Sequence, residues 1–137
     1  MHQYRWEVGS LMQIDDSRPI WVQLVAEFRL RIVSGQWAPG SKIPSVRELA
    51  SSAGVNPNTV QRALAALDRT GLTAAERTAG RFVTADGAVL DAVRAELATE
   101  ATDAYLTSLT GLGMSLEEVT RLLAVRWSDL HAEGENT

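Results

Sequence analysis

The chain of 137 residues has no cysteine, only two histidines and no long apolar run, and each shortage excludes a class of protein. Without cysteine there can be neither a disulfide framework nor a zinc–thiolate site. Neither His2 nor His131 has a partner at the spacing of metal ligands, so we expect no metal and no cofactor. No apolar stretch approaches the roughly 18 residues of a membrane span, and the amino end has no signal-peptide pattern. These absences favour a cytoplasmic protein that does not enter a membrane.

Acidic and basic residues are unevenly distributed along the chain. The net charge is −4, yet residues 18–83 carry nine Lys/Arg against four Asp/Glu, whereas residues 84–137 carry three against ten. A basic segment joined to an acidic tail is compatible with binding a polyanion through one part only. The tail is rich in carboxylates, but the sequence has no nucleophile–base–orienter set and no phosphate-cradling glycine loop, so we do not expect an enzyme.

Two helical patterns open the basic segment. The first begins at Pro19 and ends before Gly35, and its apolar face contains Trp21, Leu24, Val25, Phe28 and Ile32. The second opens with SVRE from Ser45, a capping box in which Glu48 reaches back to the start of the helix, and Gly54 closes it. We expect the large aromatic residues to lie in the core or in an interface; these are Trp21, Phe28, Trp37 and Trp127.

A third helix begins in the segment NPNTV, where Asn56 is the N-cap and a proline occupies the first helical position. It runs to about Thr70, and its apolar side contains Val60, Ala63, Leu64 and Leu67. A short helix, a turn with glycine and a second capped helix make a helix-turn-helix, whose recognition helix enters the DNA major groove by its N-terminal residues. Asn58, Thr59 and Arg62 lie on or beside the outward side, so we expect them to contact bases or phosphates.

The segment LTAAERTAGRFVT, after the third helix, predicts a weak β-hairpin with Gly80 in the turn. Three helices followed by a hairpin make a winged helix-turn-helix, which we assign to residues 12–84. Residues 1–11 are expected to be a loosely ordered arm, and Leu11 to Ile14 favour a short edge strand. The last residues, 132–137, should fray.

Residues 85–131 predict two further helices joined at GLG, Gly111 to Gly113. We expect a hairpin whose apolar faces meet and whose outer flank packs against a second copy in a C2 dimer. The first helix carries its apolar stripe at intervals of three or four residues, and the second opens with the capping box SLEE. The predicted dimerisation residues are Leu90, Val93, Leu97, Ala101, Tyr105, Leu116, Val119, Leu123 and Trp127. The fold class is therefore mainly α (α+β), an N-terminal winged helix-turn-helix followed by a C-terminal two-helix dimerisation hairpin.

The segment SGQWAPGSKIPSVRELASSAGVNPNTVQRALAALDRTGL, with GRFV after it, resembles the DNA-binding domain of the GntR superfamily of bacterial transcription regulators. The NPNTV motif and the short tail resemble those of the YtrA subfamily, whose members carry two C-terminal helices. The resemblance implies DNA contacts from the second helix, the third helix and the wing, namely by Ser45, Arg47, Asn58, Thr59, Gln61, Arg77, Gly80 and Arg81. Arg62 joins this set from its outward position alone. The chain departs from the family at Thr78, where the wing usually has glycine.

We therefore expect a sequence-specific transcription regulator, a homodimeric repressor that acts on a palindromic double-stranded DNA operator. Two alternatives stay open. The winged helix could serve as a protein-interaction module with the acidic tail as its contact surface. The regulator could also be gated by a small-molecule effector, although the sequence shows no convergent polar groups that support such a site.

Overall fold

The computed structural model of the protein describes residues 14–132, and these form five helices and a two-stranded antiparallel sheet. The elements in chain order are α1 (Ile20–Val33), α2 (Val46–Ala53), α3 (Pro57–Arg69), β1 (Thr73–Glu76), β2 (Gly80–Val83), α4 (Gly87–Gly111) and α5 (Leu116–Ala132). This order confirms the predicted mainly helical fold with a winged helix-turn-helix. The expected arm and most of the expected edge strand lie outside the described residues.

The chain divides into two compact units, of which the structure describes residues 14–95 and residues 96–132. The first, which we call the body, contains the three short helices, the sheet and the first part of α4. The second, which we call the tail, contains the rest of α4 and all of α5. Among the described helices, none combines the length and the apolarity that a bilayer span requires.

Local capping fixes where α2 and α3 begin. The Ser45 hydroxyl accepts the Glu48 backbone N–H at 3.1 Å, and the Ser45 N–H donates to the Glu48 carboxylate at 3.1 Å. The Asn56 side chain accepts the Asn58 backbone N–H at 2.8 Å. Gly54 ends α2 with φ 67°, a left-handed conformation that glycine adopts without steric cost. The predicted capping box and N-cap are both confirmed.

One hydrophobic core joins α1, α2, α3 and the sheet. The Phe28 and Trp37 rings lie 5.2 Å apart between centroids, so the turn-rich connection after α1 is anchored to the core by its tryptophan. The apolar stripes predicted for α1 and α3 supply most of the rest. The buried members are Leu24, Phe28, Ile32, Trp37, Ile43, Leu49, Ala50, Val60, Ala63, Leu64, Leu67, Leu72, Val83 and Leu90.

The two strands of the wing pair from Thr73 opposite Val83 to Glu76 opposite Gly80. The connection before α2 adds to this sheet, because the Ile43 N–H donates to the Arg81 carbonyl at 3.0 Å and Lys42 forms a bridge with Phe82. The hairpin is as predicted, but Gly80 begins β2 instead of forming the turn. Its φ of 109° explains the need for glycine at the point where the chain leaves the turn.

The start of α4 belongs to the body, which extends beyond the expected end at residue 84. Leu90 is only 6% exposed and lies in the body core, and Val93 packs against that core. The Arg94 guanidinium donates to the Val33 carbonyl at the end of α1 over 3.0 Å. Leu90 is thus a core residue of the body, and not part of a bare flank on the tail.

The tail leaves most of its apolar residues uncovered. Val119 is the one buried apolar residue of 96–132, whereas Leu116, Leu123 and Trp127 are exposed. The capping box at its second helix is confirmed, since the Ser115 hydroxyl accepts the Glu118 N–H at 3.2 Å. The exposed residues of α5 agree with the bare outer flank that the sequence predicts, and the packing of that flank against a second copy stays a prediction.

The capping box of α2 predicts that the stability of the fold depends on pH. A hydrogen bond from the Ser45 backbone lowers the pKa of Glu48, with a smaller contribution from the Ser45 side chain. A lowered pKa in the folded state adds stability above the pKa of the unfolded chain, and this stability is lost as the pH falls through the folded value.

We therefore expect Glu48→Gln to melt below the wild type at neutral pH, with the difference closing as the pH falls through the acidic range of glutamate. Thermal unfolding followed by circular dichroism measures this. Glu76→Gln, which removes one exposed carboxylate from the wing, is the matched control. A Glu48→Gln deficit that is equal at all pH values would contradict the assignment.

Candidate nucleic-acid interface

The first half of α3 presents polar side chains to solvent. Asn58, Gln61 and Arg62 are exposed and Thr59 is half-buried, while Val60 between them is fully buried. The Asn58 and Gln61 side chains form no hydrogen bond with the described residues, so their amide donors and acceptors are available. The helix thus turns one side to the core and offers the other as a polar surface, as the periodicity predicts.

Arg62 lies against an aromatic ring that sequence reasoning assigned to the core or an interface. Its guanidinium carbon is 4.3 Å from the centroid of the Trp21 ring, within the range of a cation–π contact. Trp21 is half-buried near the start of α1, and Arg62 is exposed on α3. The spacing of apolar residues predicts that Trp21 lies on the apolar face of α1, but it does not predict the contact with Arg62.

The start of α2 contributes one constrained and one free side chain. The Ser45 hydroxyl is engaged in the capping box, where its oxygen accepts the Glu48 N–H and the side chain also interacts with the Glu48 carboxylate. Arg47, the second residue of the helix, is exposed and has no hydrogen bond or ion pair with the described residues. The structure therefore leaves Arg47 as the freer of the two predicted contacts.

A groove of about 460 Å³ separates the start of α2 from the wing. Lys42, Ser45, Arg77 and Arg81 all line it. The Lys42 stem crosses Gly80 so closely that an added Cβ there would lie 2.6 Å from Lys42 Cε. Sequence reasoning missed Lys42, because only the tertiary pairing of its segment with β2 brings this cation beside the wing.

Arg81 is committed to a contact inside the body. Its guanidinium donates to the Asp68 carboxylate from Nε at 3.1 Å and from Nη2 at 3.0 Å, and its side chain is only 14% exposed. Thr73 Oγ1 donates to the same carboxylate at 2.6 Å. This network ties the end of α3 to both strands of the wing. Arg81 was expected to contact DNA, but these contacts make it a brace, while Arg77 at the turn has no partner among the described residues.

The predicted dimerisation residues fall into three groups. Leu90 and Val93 pack in or against the body core. Val119 is buried in the tail, where Leu97 and Tyr105 are half-buried. The exposed ones are Ala101, Leu116, Leu123 and Trp127.

The brace between α3 and the wing predicts a stability effect. Asp68→Ala removes the acceptor of both Arg81 and Thr73 and leaves a mostly buried cation unpaired, so we expect a loss of about 1–3 kcal/mol in the free energy of unfolding. Arg81→Ala should cost a similar amount, and the double variant less than the sum. Urea unfolding measures all three, with Glu76→Ala as the control on the wing. Full additivity of the two losses would show that the residues do not act as one brace.

Comparison with known proteins identifies the family. The profile of bacterial regulatory proteins, gntR family, matches residues 22–83. The HTH-type transcriptional regulator YhcF of Bacillus subtilis is 33% identical over 107 residues, which cover 78% of this chain and 88% of that protein. The HTH-type transcriptional repressor YtrA of the same organism is 39% identical over 75 residues, covering 53% of this chain and 58% of the repressor. A solved GntR family transcriptional regulator from Listeria monocytogenes has 33% identity and a TM-score of 0.74 over 81% of this chain and 97% of its own. This chain therefore belongs to the GntR family of DNA-binding transcription regulators, and it is not an enzyme.

Proposed function

We propose that this regulator is a homodimeric repressor that reads a palindromic DNA operator in the cytoplasm through the first half of α3. The observation that carries the proposal is the set of free groups around that helix. Among the described residues, the Asn58 and Gln61 side chains form no hydrogen bond, and the exposed cations Lys42, Arg47 and Arg77 form no hydrogen bond or ion pair through their side chains.

Each of these groups suits a different part of the duplex. The Asn58 and Gln61 amides can pair with adenine edges in the major groove, where a good bidentate contact is worth about 1–3 kcal/mol of discrimination. Arg47 at the start of α2 suits a phosphate beside the groove, since phosphate contacts fix the register of the protein on the duplex. Arg77 at the wing turn and Lys42 beside it suit the next stretch of backbone or the minor groove.

The exposed stripe of α5 supports a second copy as the partner. Leu116, Leu123, Trp127 and Leu130 are 79%, 50%, 64% and 67% exposed. At about 100° per residue they fall within roughly 60° of the helix circumference. A stripe of this size is uncommon on a monomer, and a C2 interface would use the same stripe on both subunits. Two bodies held together would also read two half-sites, which raises affinity and sets their spacing.

The repressor assignment draws on the relative YtrA, which is named a transcriptional repressor. A dimer that covers an operator inside a promoter would exclude RNA polymerase. Transcription in vitro from a promoter that contains the selected operator tests this step, and we expect the transcript to fall as the protein is added. An increase would make the regulator an activator while the DNA-binding assignment stands.

DNA binding itself is tested by selecting bound duplexes from a random pool and then substituting Arg47. We expect Arg47→Ala to weaken binding to the selected operator and to lower the salt slope by about one unit if the side chain neutralises a phosphate. Arg69→Ala, at the far end of α3, is the charge-matched control and should change little. A wild-type protein that selects no sequence, or that binds DNA without salt dependence, would favour the protein-interaction alternative.

The dimer is tested by placing a charge on the α5 stripe. Leu123→Glu would bury a carboxylate in the proposed interface, so we expect a monomer in sedimentation and a large loss of affinity for the full palindrome. Binding to a single half-site should be unchanged. Val125→Glu is the matched control, because Val125 is 57% exposed but lies about 180° from Leu116 on the helix. A Leu123→Glu variant that still sediments as a dimer would move the interface away from α5.

A further inference from the structure

We infer that Trp21 is a positioning residue for Arg62, with the indole ring of α1 holding the guanidinium of α3 in the orientation in which it meets the operator. This inference rests on the proposed function, since it concerns one side chain of the DNA-reading surface. It assigns to α1 a part in reading DNA, in addition to its part in the core.

The geometry singles out this contact. Arg62 has no hydrogen bond or ion pair with the described residues, and the Trp21 ring, 4.3 Å from its guanidinium carbon, is the one partner recorded for it. Within residues 14–95, the other cation–ring contacts belong to Arg31, which is buried and paired with Glu27 at 2.9 Å. In the part of the chain that the structure describes, Arg62 is therefore an exposed cation whose interaction is with a ring and not with an acceptor or a carboxylate.

A ring holds an arginine differently from a carboxylate. A guanidinium carbon over the face of a ring is held without using the N–H donors, which are the donors that pair with guanine or phosphate. Its positive charge is not neutralised. Arg81 shows the contrast within the same body, because Asp68 accepts from its Nε and Nη2 and pairs with its charge. The contact with Trp21 thus restrains Arg62 and leaves its N–H donors and its positive charge available to DNA.

Restraint before binding lowers the entropy that is lost on binding. A free arginine has many rotamers, and fixing one of them opposes association. Because Trp21 is half-buried at the start of α1, the ring is itself held by the packing of α1 on α3. Arg62 is therefore presented in a limited range of orientations, whereas Arg47 must be ordered by the DNA itself.

The test is a double-mutant cycle on the selected operator. We expect Trp21→Leu to weaken binding by roughly two- to five-fold, the range that corresponds to an exposed cation–π contact. The loss should concentrate at the operator position, or in the salt slope, that Arg62→Ala affects. Trp21→Phe should lose less, because it keeps a ring, and Trp21→Leu should have no further effect in the Arg62→Ala background. Ile20→Ala is the control on α1 and Arg69→Ala the control on α3, with thermal unfolding recorded for every variant.

Three outcomes would overturn the inference. Trp21→Leu could weaken binding equally with and without Arg62, which would make the ring a packing residue only. It could strengthen binding, which would mean that the ring withholds Arg62 from DNA. Arg62→Ala could leave binding unchanged while Arg47→Ala and Asn58→Ala reduce it, in which case the DNA-binding function would stand without this pair. If none of these variants altered binding, the proposed reading surface itself would fail.

Discussion

The packing of α3 against α1 is the interaction on which the rest of the structure depends. Val60 and Leu64 of α3 are completely or almost completely buried, together with Leu24 and Phe28 of α1. Burial of such side chains is worth about 1.5–3 kcal/mol each, so rotation of α3 about its axis would be costly. Because the inward side is fixed, the outward side is fixed as well. Core packing thus determines that the polar side chains in the first half of α3 face solvent.

Polar contacts define both ends of α3, and those at its far end attach the wing. At the start, the Asn56 side chain accepts the Asn58 N–H and the Asn56 carbonyl accepts the Thr59 N–H, so the first turn is fixed and its dipole favours an anion. At the end, Asp68 holds Arg81 and Thr73, so the wing is joined to the helix by charged hydrogen bonds as well as by apolar packing. On the resulting body, exposed cations lie at the start of α2 (Arg47) and along the groove between α2 and the wing (Lys42 and Arg77). The negative charge of the chain is concentrated elsewhere, with ten acidic residues after residue 83.

The sequence allowed local features to be predicted, because their causes are local. The capping boxes, the N-cap Asn56 and the helical stripes each depend on residues a few positions apart, and all are present in the structure. Features that depend on pairing between distant segments could not be predicted. No spacing rule connects Trp21 with Arg62, or Asp68 with Arg81. The apolar stripe of α4 likewise gave no sign that Leu90 closes the body core, because periodicity identifies a buried face but not what covers it.

The orientation of α3 on DNA is measured most directly by a crystal structure of the full chain bound to its selected operator. We expect the first two turns of α3 in the major groove, with Asn58 or Gln61 within hydrogen-bond distance of base edges. Arg47 should lie near a phosphate, and Arg62 should stay over the Trp21 ring. A complex in which DNA meets another face of the body, with the first half of α3 open to solvent, would contradict this arrangement.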